Sequence, residues 1–99
     1  MAEQLSKNDV IAKAKGFTKS IEKMDEKQKA ASPSGDYGED YNKLRRIAEH
    51  LYPQLADLLP PLVRVNSSHG SGYRYTEQSY SEIDTFCEQI IQLLSGRND

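Results

Sequence analysis

The sequence predicts an all-α fold: a small three- to four-helix bundle with a proline-broken second helix and a long loop before the C-terminal helix. Three observations carry that expectation. Apolar residues recur at helical spacing in three separate stretches. Each stretch is preceded by a residue suited to capping a helix start. Pro53 and the pair Pro60-Pro61 punctuate the middle of the chain, where helical geometry has to stop.

The C-terminal stretch is the core helix. Tyr80, Ile83, Cys87, Ile90 and Leu94 step by three and four and so share one helix face, which Phe86, Ile91 and Leu93 widen toward a second neighbour. Ser79 with Glu82 reads as a capping box, and Gly96 stands where a left-handed residue ends a helix. Cys87 lies on the apolar face, where a free thiol behaves as a small hydrophobe.

At the other end, Ser6 to Asp9 is a helix-start signature, with Asn8 an equally good cap. Val10, Ala14, Phe17, Ile21 and Met24 then keep the same rhythm, and Ile11 broadens it. The spacing predicts an amphipathic helix of about 20 residues or slightly more. Gly16 is its weak point, at about 1 kcal/mol relative to alanine unless it permits close packing. Residues 1–7 and 96–99 are expected to fray.

Residues 32–39 read as a loop, with Pro33, Gly35 and Gly38 as breakers and Asp36 or Asp40 as the next cap. The second helix carries Tyr41, Leu44, Ile47, Ala48 and Leu51 on one side. At Pro53 the helix either kinks at Tyr52 or gives way to a new short helix with Pro53 in its first turn. A break with a change of direction is the favoured reading. Residues 54–59 are expected to act as a lid, with Leu55, Leu58 and Leu59 closing one end of the core. On that reading Leu58→Ala costs about 2–5 kcal/mol. Residues 60–75 read as loop. Within it Leu62 to Val65 alternates like a strand, but nothing else in the chain reads as its partner, so the expectation is an extended segment laid against helices.

Composition bounds the function. Ninety-nine residues make one domain, and a net charge of −2 disfavours a dedicated nucleic-acid binder. No apolar run approaches the roughly 20 residues that cross a bilayer, and the N-terminus lacks the pattern of a secretory signal. With a single cysteine there is no internal disulfide, which fits a reducing, cytoplasmic setting. His50 and His69 stand apart from any metal-ligand spacing, so neither a metal site nor a cofactor is expected. No catalytic constellation is visible, and the protein reads as a non-enzyme.

The loop Ser67 to Arg74 is the best candidate for a ligand site. Its small residues let backbone N–H groups approach an anion. Arg64 and Arg74 would supply charge, and Tyr73 or Tyr75 would stack on a base. His69, Gly70 and Gly72 belong to the same stretch, which nonetheless fits no phosphate-loop or dinucleotide pattern. Lys43, Arg45 and Arg46 form a small basic cluster that nearby acids offset. Six tyrosines against two phenylalanines and no tryptophan concentrate at loops and helix ends, where tyrosine caps a core or anchors an interface. The favoured function is therefore a protein-interaction module: a helical adaptor, inhibitor or accessory domain with another protein as partner. Homodimerisation through the first and last helices is a further expectation, raised by their long apolar stripes. The alternative is a binder of a nucleotide, a phosphorylated ligand or single-stranded nucleic acid through residues 66–76.

Overall fold

Helix α4, Tyr80–Ser95, forms the spine of the molecule, with Ile83, Cys87, Ile90 and Leu94 all fully buried along it. The computed structural model describes residues 5–68, 70 and 72–96. The start of α4 is held as its sequence predicts. The Glu82 N–H donates to the Ser79 hydroxyl at 3.2 Å, and the Ser79 N–H donates to the Glu82 carboxylate at 3.3 Å. The end differs: Gly96 has φ −84°, an ordinary helical value, and its N–H bonds to the Leu94 carbonyl. Glycine is not required there for its backbone freedom.

Helix α1, Lys7–Glu22, packs along α4 and buries Val10, Ala14 and Ile21 against it. Ser6 and Asp9 form its capping box. The pair runs antiparallel, since Asp84 near the start of α4 feels the charge of Glu22 at the end of α1. The expected long first helix stops short. Asp25 accepts from the Gln28 N–H at 2.8 Å and starts a separate single turn, α2, Glu26–Lys29. A strong local cap thus interrupts what periodicity alone would have continued.

Helix α3, Gly35–Leu51, begins where the sequence predicts a loop. Neither Asp36 nor Asp40 caps it; the Ser34 hydroxyl does, accepting from the Tyr37 N–H at 3.3 Å. Gly35 and Gly38 lie inside the helix, and their role is close approach. A Cβ at Gly35 would sit 2.8 Å from the Arg74 Cβ, and one at Gly38 would overlap the Thr76 side chain. What passes over them is a two-stranded antiparallel sheet, β1 Val65–Ser67 and β2 Arg74–Thr76, paired Val65 to Thr76 and Ser67 to Arg74. The fold is therefore mostly helical with a small hairpin, rather than purely α. Val65 has a strand partner after all. Two three-residue strands are too short to announce themselves by alternation, and their stability comes from lying on α3. An isolated bridge from Ser34 to Tyr75 and the bond from the Thr76 N–H to the Pro33 carbonyl, at 2.8 Å, fasten the hairpin's other edge.

Between α3 and β1 the chain turns at Pro53, which opens a 3-10 turn, Pro53–Leu55, at its first position. Tyr52, Leu55, Leu59 and Val63 close this end of the core. Leu58 does not join them. It is 62% exposed, because the N–H groups of Leu58 and Leu59 both return to the Leu55 carbonyl in a tight turn that sends Leu55 and Leu59 inward and Leu58 out. Leu62 is likewise turned outward, at 42% exposed, with Val63 inside. No described helix is long and apolar enough to cross a membrane.

Candidate interaction groove

The predicted site residues separate into two places, and a third surface holds none of them. The first is the hairpin. Gly70 and Gly72 have φ of +84° and +72°, so the turn between the strands needs glycine at both. The Ser68 N–H donates to the Tyr73 carbonyl at 2.7 Å and closes that turn. Tyr75 on β2 and Tyr73 just ahead of it lie with near-parallel rings, centroids 6.3 Å apart at 14°. Arg74 is already engaged: its guanidinium pairs with Glu39 and, at 3.5 Å, with Asp36 in the first turns of α3. Arg64 is exposed at the base of the hairpin, its backbone N–H donating to the Gln78 side chain at 2.9 Å. His69 lies outside the described residues.

The second place is the far half of α3, where Arg45 and its neighbour diverge. Arg45 is drawn inward. Its Nε donates to the Pro60 carbonyl at 2.9 Å, Nη2 to the Ala56 carbonyl at 3.3 Å, and Nη1 pairs with Glu49 one turn on. That guanidinium is a clasp on the Pro53–Pro60 segment, with little left for a ligand. Arg46 and His50, one turn apart, remain exposed beside Pro53 and Leu62 around a hollow of about 580 Å³. The hairpin crosses α3 at Gly35 and Gly38, so Arg45 and Arg46 lie about two turns from the glycine-containing loop. The structure does not bring the two sets together.

The third place was not singled out as a site by the sequence. Helix α1 packs chiefly on α4 and more lightly on α3, and a cleft of about 540 Å³ opens between α1 and α3. One wall is Leu5, Lys13, Gly16, Phe17 and Ser20; the other is Tyr37, Asp40, Lys43, Leu44 and Ile47. Leu5, Phe17, Tyr37 and Ile47 are half-buried, each with apolar surface still facing solvent. At one end Phe17 meets Tyr37 edge-on, centroids 5.1 Å apart, and Tyr37 meets Tyr80 at 5.0 Å. The Tyr37 hydroxyl is buried with no hydrogen-bond partner among the described residues. Burial, then the proximity of Cys87, Tyr80 and Asp84, pushes its pKa well above the usual phenol value.

Gly16 gives this cleft its shape. A Cβ built there meets nothing within 4 Å, so the glycine does not serve packing inside the chain. Its cost in mid-helix, about 1 kcal/mol, therefore goes uncompensated by any contact in the fold. The sequence carried a partial signal. Ile11 and Phe17 make the α1 stripe wider than one neighbouring helix covers, and Ile47 does the same on α3.

Cys87, by contrast, is enclosed. Burial first, then Asp84 and Glu88, pushes its thiol up to about 12, opposite to what a nucleophile needs. No group of three or more His, Cys, Asp or Glu side chains converges as a metal cage would among the described residues. No protein-family model, curated protein or solved structure matches the chain.

Proposed function

We propose that this chain is a protein-interaction module that receives a segment of a partner protein in the α1–α3 cleft. The observation that carries the reading is Gly16: a helix-destabilising residue with open space over it, on the wall of an apolar cleft. A partner's side chain placed against Gly16 gives that residue the contact that the fold itself does not. Leu5, Phe17, Tyr37 and Ile47 surround it with the half-exposed apolar surface that interface cores use. An intracellular setting, in which the lone thiol stays reduced, belongs to the same reading.

A photo-cross-linking side chain at Ser20, on the cleft wall, tests it against the same group at Gln54, outside it. In the native host, Ser20 should give a discrete cross-linked species and Gln54 should not. Gly16→Phe fills the open space and should abolish the species while leaving the melting temperature within a few degrees. A cross-link that survives Gly16→Phe, or none from Ser20, overturns the reading.

A second reading rests on the Tyr73–Tyr75 pair. Tyr73 is 56% exposed beside the parallel ring of Tyr75, a flat aromatic surface of the kind on which nucleobases stack. Amide NMR spectra titrated with nucleotides and short oligonucleotides test it, with saturable shifts confined to residues 66–76 expected. Expected self-association has a weaker basis, since the apolar stripes of α1 and α4 are spent on each other within one chain.

A further inference from the structure

We infer that the occupant of the α1–α3 cleft is an amphipathic helix with acidic flanks, supplied by another protein; the inference rests on the interaction reading above. The walls decide the helical form. Both are helices, and their lining residues repeat at helical spacing: Lys13, Gly16, Phe17 and Ser20 on α1, Tyr37, Asp40, Leu44 and Ile47 on α3. Backbone N–H and C=O groups in the middle of a helix are already bonded along its own axis. The cleft walls therefore offer no ladder of main-chain donors and acceptors to an extended peptide. A helix brings its backbone groups already satisfied and needs only side chains that fit between the ridges of its neighbours. From Tyr37 to Ile47 the α3 wall runs about 15 Å at 1.5 Å per residue, room for about three turns of a partner.

Charge decides the flanks. Lys13 on one wall and Lys43 on the other are exposed, and neither forms a salt bridge among the described residues. Lys13 acts only weakly on Asp9, one turn back along α1. Asp40 is the one acid among the lining residues. The surrounding helix reinforces the sign: α1 carries Lys7, Lys13, Lys15 and Lys19 against Asp9 and Glu22, although the whole chain is at −2. On α3 the acids Asp36 and Glu39 pair with Arg74 and Glu49 pairs with Arg45, which leaves Asp40 against Lys43 and Arg46. The two walls together are thus net positive, the complement of a helix with leucine-like anchors bordered by glutamate or aspartate. Gly16 sets the position of one anchor, a large side chain at the point where the wall has none.

The test uses the full chain against a displayed library of 18-residue peptides, half on helix-forming scaffolds and half broken by central prolines. Apolar and flanking positions are randomised, with counter-selection against Gly16→Phe. Enrichment of unbroken helices with acidic flanks is expected, and affinity should fall about tenfold between low and physiological salt. On the double variant Lys13→Glu, Lys43→Glu, whose changes are at the surface, the preferred flank should switch to basic.

Enriched helices without charge bias, or with the same bias on the double variant, would overturn the acidic partner and leave the interaction reading in place. Proline-broken binders would overturn the helical form. No enrichment that depends on Gly16 would overturn the inference altogether, while the Ser20 cross-link decides the broader reading independently. Self-association, seen by sedimentation as a dimer that Gly16→Phe dissociates, would make the occupant a second copy and overturn the proposal.

Discussion

Asn42 binds Val63 as a neighbouring strand would. Its carboxamide Nδ2 donates to the Val63 carbonyl at 3.0 Å, and its Oδ1 accepts from the Val63 N–H at 2.8 Å, across 21 residues of sequence. One buried side chain on α3 thus satisfies both backbone groups of a residue just ahead of β1, where no strand is available. It stations the incoming chain so that the hairpin lands on Gly35 and Gly38.

Asn42→Ala should cost about 2–4 kcal/mol, because the Val63 N–H and carbonyl lose their partner in a buried place. Asn42→Asp keeps the acceptor but sets a carboxylate against the Val63 carbonyl, which favours the protonated acid in the folded state. Its stability should therefore improve as pH falls from 7 to 5. Urea midpoints at the two pH values check both, and an unchanged midpoint for Asn42→Ala would contradict the account.

Gly16 in α1 and Gly38 in α3 should respond in opposite directions. Gly38→Ala meets the Thr76 side chain, whose Oγ1 donates to the Ser34 carbonyl at 2.8 Å, so the gain in helix propensity is outweighed and the melting temperature falls. Gly16→Ala has open space and should stabilise by roughly 0.5–1 kcal/mol. A destabilising Gly16→Ala would show that this backbone is needed within the chain, and the cleft argument would lose its basis.

Leu55 and Leu58, three apart in the same turn, separate just as sharply. Leu55→Ala should cost about 2–5 kcal/mol and Leu58→Ala close to nothing, since the first is 1% exposed and the second 62%. Thermal melts of the two variants side by side decide it.

Stability should decline in mildly alkaline solution. The Cys87 thiol titrates near its ordinary value of 9 when unfolded and at about 12 when folded, so between those values the unfolded chain holds fewer protons. Folding free energy is intact below pH 9 and is lost as pH rises toward 12. Tyr37 and Tyr41 shift the same way through burial and act in the same direction. Cys87→Ala should lower stability at pH 8 but flatten the decline between pH 8 and 10.5. In the wild type, a thiol reagent at pH 8 should modify Cys87 only after denaturant is added.

The readings that hold are local ones. The helix start at Ser6–Asp9 (with Ser6 as the cap and Asn8 inside the helix), the capping box at Ser79–Glu82, the buried stripe of α4 and the helical turn opened by Pro53 each join residues three or four apart. At that range the backbone's own geometry decides which groups meet. The misreadings come from signals with two physical meanings. Gly35 and Gly38 look like loop breakers and are instead the bare surface on which a hairpin rests. Arg45 looks like part of a solvated basic cluster and is instead a clasp on two carbonyls.

By itself, then, the sequence determined where α1 begins, where α4 runs and which faces of α1, α3 and α4 turn inward, because helix periodicity and capping are properties of neighbours along the chain. Tertiary structure alone decided the hairpin, the Asn42–Val63 pairing and the cleft. Each depends on groups distant along the chain, as in Asn42 with Val63, 21 residues apart, and Thr76 with Ser34, 42 apart. The cleft depends further on how far α1 stands from α3 once α4 has taken its inner face. That spacing is set by the packing of all three helices together, and no single stretch of residues encodes it.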